Sequence, residues 1–385
     1  MNIRDVLFDI LQYAIKKKPL DREAIKAYLN GEKLSTLYKV AKKHDVAHLV
    51  AFALIENGIS YETEEWKLFL EEKEQASLRY EMLQADINEI CACFDKNGIE
   101  YIPLKGAVLR QYYPQSWMRT SCDIDILVHD DDLSKAVDCL VKECSYTTDG
   151  KKTYHDISLY SPFGMHLELH HNIKETVDKY DKLLTQVWEF SKKTDEKRYE
   201  YLELNEFLML HLIAHMAYHF IGGGCGLRSV LDIWILRHSL KLDDKVLNDL
   251  LENAELKKFY DTVVSLSEYW FGDLTNVSDT VLETEKFILL GGVYGTKKQN
   301  ALSKQVKSGG KFGYFIRRIF MSYESLAILY PVIKKYKILT PFCQILRWFG
   351  AIFKAKRIRK EIKNVSMTSE EQALRLEILF NKLEI

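Results

Sequence analysis

The sequence predicts a mixed α+β or α/β fold: a small mixed sheet flanked by N-terminal and C-terminal helical regions. Three observations carry this. Apolar residues recur at three and four up to residue 97, extended runs replace them after Gly98, and helical spacing returns from about Asn205. With 385 residues, 47% hydrophobic and 28% charged, the chain can bury a sizeable core in two to three domains. Its 6 prolines and 18 glycines argue against a collagen-like or linker-rich chain. The expected division is a helical region at 1–97, an α/β core at 98–190, a helical domain at 191–300 and a basic helical region at 301–385.

Leu37, Val40, Ala41, Leu49, Val50, Ala53 and Leu54 make a helical opening that stops at Asn57-Gly58. Between Gly58 and Gly98 there is neither Gly nor Pro, and Trp66, Phe69, Leu83, Ile87, Ile90 and Phe94 mark one long amphipathic helix. Ile99 to Leu104 then reads as a short strand, Lys105-Gly106 as a turn, and Ala107 to Tyr113 as a short helix stopped at Pro114. Asp123 to Val128 alternates and reads as a second strand, and Asp130 to Asp132 open a helix from Leu133. Tyr154–Tyr160 and Met165–His170 are extended runs joined by the turn-forming Ser161-Pro162-Phe163-Gly164. From Asn205 to Pro331 the text is helical, broken by a glycine-rich loop at Ile221 to Gly226.

Seven cysteines without a C-x-x-C pair read as reduced, mostly core residues of a cytoplasmic protein. No apolar run reaches about 18 residues, and Met1-Asn2-Ile3-Arg4-Asp5 lacks the start of a secretory leader, so neither spanning nor secretion is expected. The net charge of −1 hides a segregation: residues 301–363 carry +13 and residues 1–300 carry −12. Ile345, Trp348, Phe349, Ile352 and Phe353 form an apolar stripe flanked by Arg347, Lys354, Lys356, Arg357, Arg359 and Lys360. Packing on the acidic body of the same chain is the expected arrangement, ahead of acceptor or phosphate binding and of contact with an anionic membrane surface. Nothing resembles a helix-turn-helix, a zinc finger or an aromatic stacking platform, so sequence-specific DNA binding is not expected.

Successive strand side chains alternate in direction, so Asp123 and Asp125 project together while Ile124, Ile126 and Val128 face a core. Two adjacent carboxylates suit Mg²⁺, although D-x-D alone also fits a solvated strand edge. His166, Glu168 and His170 share one face of the last strand. If that strand lies beside Asp123–Val128, Glu168 completes a three-carboxylate set of the kind that holds two metal ions. His170 would orient a water or an acceptor hydroxyl, or be a polar residue without a role. Lys105-Gly106 at a strand-to-helix turn permits close approach of a phosphate, and Arg119 offers a fork-shaped donor to the same anion, while each alone also fits an ordinary surface cation. His211, His215 and His219 are spaced i, i+4 and i+8, too far apart to share one ion, so core or cleft roles are expected over zinc. Arg228 and Asp232 lie on one helix face, as an intrahelical ion pair or as contacts across a cleft.

In order, Leu104-Lys105-Gly106, Arg119-x-x-x-Asp123-Ile124-Asp125-Ile126-Leu127-Val128 and Leu167-Glu168-Leu169-His170 resemble the core of the DNA polymerase β-like nucleotidyltransferase superfamily. More narrowly they resemble the bacterial uncharacterised nucleotidyltransferase family, as do Leu227 to Asp232 and Ser322 to Pro331. Lys105-Gly106 stands where the wider superfamily usually has Gly-Ser. The resemblance implies a nucleotidyltransferase core at 98–190 in which Asp123 and Asp125 bind two Mg²⁺ ions, with Mn²⁺ an alternative, and Glu168 binds one and helps activate the acceptor. It implies transfer of a nucleoside monophosphate from an NTP, ATP by expectation, to an acceptor hydroxyl, with pyrophosphate released. Lys105, Gly106 and Arg119 would meet phosphate, and His170, His215, Arg228 and Asp232 would line the acceptor side. Competing expectations are a toxin-type transferase acting on tRNA or protein, and a non-catalytic nucleotide-binding module.

Overall fold

The computed structural model describes residues 1–175, 177–194, 198–353 and 368–385. Four helices open the chain, α1 (Ile3–Lys16), α2 (Arg22–Tyr28), α3 (Glu32–Lys43) and α4 (Ala47–Glu56). The long helix expected next is α5 (Glu64–Asn97). Its start is fixed by the Thr63 hydroxyl, which accepts from the Trp66 N–H, and its end by Gly98 at φ 62°, where a side chain would be strained.

The α/β core follows as β1 (Tyr101–Pro103), α6 (Gly106–Leu109), β2 (Asp123–Val128), α7 (Leu133–Glu143), β3 (Thr147–Lys152), β4 (Asp156–Tyr160) and β5 (His166–His170). The sheet order is β1-β2-β5-β4-β3. Only β2 and β5 run parallel among these pairs, with Asp123 opposite His166 and Asp125 opposite Glu168. A parallel pair needs a long crossover, and here α7 and the β3–β4 hairpin supply it. One face of the sheet is dry: Ile124, Ile126, Leu167 and Leu169 pack on Leu83, Ile87, Ile90 and Phe94 of α5 and on Ala136 and Leu140 of α7. The alternation that buries these residues turns Asp123, Asp125, Glu168 and His170 to the other face.

Beyond the sheet come α8 (Asp178–Leu184) and a ribbon of β6 (Ser191–Lys193) and β7 (Tyr201–Glu203), neither strand expected from the sequence. Glu200, just before β7, bridges to Tyr101, so this stretch leans on the edge of the main sheet. Helices α9 (Asn205–Gly222), α10 (Leu227–Ser239), α11 (Asp244–Asn253), α12 (Lys257–Phe271), α13 (Asp279–Gly291) and α14 (Lys297–Lys307) form the helical body. It shares one hydrophobic core with the opening helices: Val6, Phe8 and Val50 lie in the same buried cluster as Phe207, Phe259 and Trp270, and Phe8 stacks on Trp270 at 4.8 Å. Regions 1–97 and 191–300 are therefore joined through their interiors.

The chain then forms α15 (Gly310–Ile319), α16 (Tyr323–Leu329), α17 (Val332–Lys335) and α18 (Thr340–Phe353), and ends in α19 (Glu370–Leu383). α16 to α18 enclose a small cluster of Leu326, Ala327, Ile333 and Cys343. The outward sides of Ile345, Trp348 and Phe349 are exposed rather than packed on the acidic body, and Lys354, Lys356, Arg357, Arg359 and Lys360 lie outside the described residues. All seven cysteines are free thiols, and only Cys122 is exposed. Among the described residues no helix is long and apolar enough to cross a membrane.

Candidate active site

The polar face of the β2–β5 pair floors a cavity of about 660 Å³, roofed by α9, α10 and the loops around Tyr294. Parallel register brings the three acids together. Oxygen or nitrogen ligand atoms of Asp123, His166 and Glu168 lie within 4.8 Å of one another, as do those of Asp125, Glu168 and His170. Glu168 belongs to both sets and joins the two aspartates. The crowding is visible in their acidities. Burial, then repulsion from Asp125 and Glu168, raises the Asp123 pKa above the usual carboxylate value. Burial would raise Asp125 too, but Lys105 and His170 outweigh it and hold that carboxyl well below the ordinary range. Hydrogen bonding from His170 leads the lowering at Glu168.

Asp125 is the hub. Its Oδ1 accepts from Lys105 Nζ at 2.9 Å and lies 3.0 Å from His170 Nε2, which is also 3.5 Å from Glu168 Oε2. Lys105 sits in the turn between β1 and α6 at φ 45°, a left-handed conformation that a lysine adopts only when its surroundings hold it there. Gly106 has a reason for being glycine that the sequence does not reveal: an added Cβ would lie 3.0 Å from the Ser121 Cβ. Packing of the turn on the 119–121 loop thus leaves a side chain here little room, independently of any phosphate.

That loop is bolted to α10. Arg119 donates through Nε and Nη2 to the two oxygens of Asp232 at 2.7 and 2.9 Å, and the Tyr113 hydroxyl donates to the same carboxylate at 2.6 Å. The guanidinium fork that sequence reasoning aimed at a phosphate is taken by Asp232, with both side chains nearly buried. Arg228 likewise pairs with Asp45 and donates to the Thr120 hydroxyl at 3.1 Å. The intrahelical Arg228–Asp232 pair is replaced by two separate contacts across the cavity wall, because each finds a partner on the 119–120 loop or on Asp45.

The opposite wall holds a group the sequence did not single out. Glu175, in the loop after β5, accepts from His215 Nδ1 at 2.5 Å, and the His215 ring meets that of His219 edge-on at 4.5 Å. Burial and nearby Lys105 lower His215 to about 4, while His215 and Lys105 outweigh burial to bring Glu175 to about 2. His211 also lines the cavity but pairs with Glu203 at 2.9 Å rather than with Glu175, so the histidines of α9 do not share one partner. His155 stacks on His170 at 5.5 Å and joins the cavity lining. A charged residue in an irregular loop such as Glu175 carries no periodic signal, and none would have found it.

A parallel strand pair gathers three carboxylates beneath a cavity, with a lysine-bearing turn beside them, and the clustered carboxylate and histidine ligand atoms could hold a metal ion. The chain belongs to the uncharacterised nucleotidyltransferase family, which it matches over residues 30–272. The matched stretch runs from the start of α3 to the end of α12 and holds the whole sheet. No curated protein and no solved structure matches this chain significantly.

Proposed function

We propose that this protein transfers a nucleoside monophosphate from an NTP, ATP by expectation, to an acceptor hydroxyl. The observation that carries the proposal is the convergence of Asp123, Asp125 and Glu168 on the cavity side of the β2–β5 pair. The donor set fits hard cations: carboxylate oxygens dominate it, and their mutual repulsion, seen in the raised Asp123, is relieved by positive charge. Asp123, Asp125 and Glu168 would hold Mg²⁺, with Mn²⁺ an alternative. When bound, two such ions supply neutralisation of the phosphate charge and a lowered acidity barrier for the attacking hydroxyl.

The remaining work belongs to the chain itself. The acceptor oxygen forms a bond to the α-phosphorus as the bond to the β-phosphate oxygen breaks, and pyrophosphate leaves with that electron pair. Glu168, the one acid of β5 and more open than Asp125, takes the hydroxyl proton, and His170 holds the carboxylates of Asp125 and Glu168 in place. Lys105, released from Asp125, meets a phosphate oxygen beside Gly106. Arg119 and Asp232 keep the 119–121 loop against the turn, Arg228 does the same through Asp45 and Thr120, and His215 with Glu175 shapes the acceptor side. Such a site works by placement and preorganised charge.

The test is α-labelled ATP with Mg²⁺ and cell extract. Wild type should label an acceptor, and the Asp123→Ala, Asp125→Ala double variant should not; equal labelling by both overturns the mechanism. RNase or protease treatment of the product then separates a tRNA or protein acceptor, the toxin-type case, from a small molecule. One observation favours a second reading, that of a nucleotide-binding module. Lys105 and His170 already neutralise Asp125, and this reading predicts ATP binding without pyrophosphate release.

A further inference from the structure

The segment after α14 is unlike the rest of the molecule. α15 rests on α14, and its C-terminal end is tied to α18: Arg347 Nη2 and Trp348 Nε1 both donate to the Ile319 carbonyl at 2.7 Å, and the Phe320 ring meets Trp348 edge-on at 5.8 Å. The inward side of α18 buries Cys343 and Gln344. Its outward side is apolar. Phe342, Ile345, Leu346 and Phe349 follow the i, i+3, i+4, i+7 spacing of a single helical face, and Phe342 and Phe349 are 63% and 61% exposed. Phe312, Ile316 and Ile319 do the same on α15, and Ile338, just before α18, is 81% exposed. Exposed aromatic and aliphatic side chains in this number exceed what isolated surface residues account for.

The charge of this segment is almost all of one sign. Residues 311–353 contain seven lysines and arginines against the lone carboxylate Glu324. Lys334, Lys335, Lys337 and Arg317 are exposed, next in sequence to the apolar residues of α17, α18 and α15. A second copy seated face to face on this surface would bring two strongly cationic patches together. An anionic lipid surface answers both features at once: the apolar side chains enter the headgroup boundary and the cations meet lipid phosphate. We propose that α15 to α18 form a docking surface for an anionic membrane, on which the protein lies without crossing. Ring-bearing Trp348, with its N–H bonded and one edge exposed, sits where such residues are favoured.

Sedimentation of the full chain with vesicles tests this, comparing pure phosphatidylcholine with an equimolar phosphatidylcholine and phosphatidylglycerol mixture. Wild type is expected in the pellet with the anionic vesicles only, and raised salt should return it to the supernatant. The Phe342→Ser, Phe349→Ser variant should lose binding at least tenfold. The Lys334→Gln, Lys335→Gln, Lys337→Gln variant should lose roughly a hundredfold, at about fivefold per cation. Because all five positions are exposed, both variants should melt with the wild type. Wild type that ignores anionic vesicles, binds both kinds equally, or is indifferent to salt overturns the proposal even if a variant misfolds. A wild-type dimer in sedimentation velocity that the phenylalanine variant dissociates overturns it in favour of self-association.

Discussion

Glu168 is the residue through which the two ligand sets communicate, since it is the member common to both. Glu168→Gln keeps the shape and removes the charge, and is expected to lower transfer by roughly 10² to 10³. Circular dichroism and melting should be unchanged. The buried Arg119–Asp232 pair gives a contrasting prediction, because its contribution is to the fold of the cavity wall. Arg119→Met leaves Asp232 charged and bonded only to Tyr113, a loss of about 3–5 kcal/mol in urea unfolding. Adding Asp232→Leu removes the stranded charge and should recover much of that stability without recovering activity. Both residues were singled out from the sequence for other roles, but their pairing was not legible, because 113 residues separate them. The acids were legible, since alternation from Asp123 to Ile126 and from Met165 to His170 leaves those stretches only one way to bury their apolar side.

At the scale of elements, His44 joins three helices. It follows α3, its Nδ1 accepts from the Leu227 N–H at the start of α10 at 3.1 Å, and its Nε2–H donates to the Leu289 carbonyl of α13 at 3.2 Å. This arrangement requires a neutral ring, and burial accordingly lowers its pKa from 6.5 to about 4. The unfolded chain therefore binds the proton more tightly than the folded one. The His44 contribution to stability is complete above pH 6.5 and declines as the pH falls toward 4, by about 3 kcal/mol in all. His44→Gln removes the titration. The wild type should lose more of its urea midpoint than this variant between pH 7 and pH 5, and parallel losses would refute the assignment. A second joint is the crossing of the 221–226 loop with the α13–α14 loop, where a Cβ on Gly224 would lie 2.1 Å from the Gly295 nitrogen. Gly224→Ala must push two backbones apart, at a cost of about 3 kcal/mol in a melting experiment. The glycines of that loop were legible, but their purpose was not, since it depends on a segment about seventy residues downstream. Strand β3 escaped sequence reading for a related reason. Thr147 to Lys152 is polar and exposed, and its extended form comes from pairing with β4, with a register shift between Thr148 and Lys152.

For the molecule as a whole, the shared core overrides the order of regions along the chain. The composition change at Gly98 marks a real change of architecture, yet the helices before it and those after Asn205 bury the same cluster. A fragment of residues 98–300 is thus expected to expose the apolar surfaces that Val6, Phe8 and Val50 cover, and to fail to give a cooperative melt. A sharp transition for that fragment would show that the opening helices are an accessory. Helix content on both sides of the sheet was legible because amphipathic spacing is a local property. The joining of the two helical regions was not, because nothing in either sequence names its partner. The same limit applied to the basic region, whose charge and apolar stripe were plain but whose exposure depended on how α15 and α18 meet.

The placement of β5 between β2 and β4 governs how the site comes into being during synthesis. Before His170 has left the ribosome, the sheet exists only as two halves, β1 with β2 and β4 with β3, each with a bare hydrogen-bonding edge where the missing strand belongs. The last strand to be made closes both edges in the same motion that carries Glu168 to the aspartates. Interrupted translation in this interval leaves sticky half-sheets without the carboxylate cluster, so messenger truncations just upstream of residue 166 should give inclusion bodies, whereas the full-length message should not.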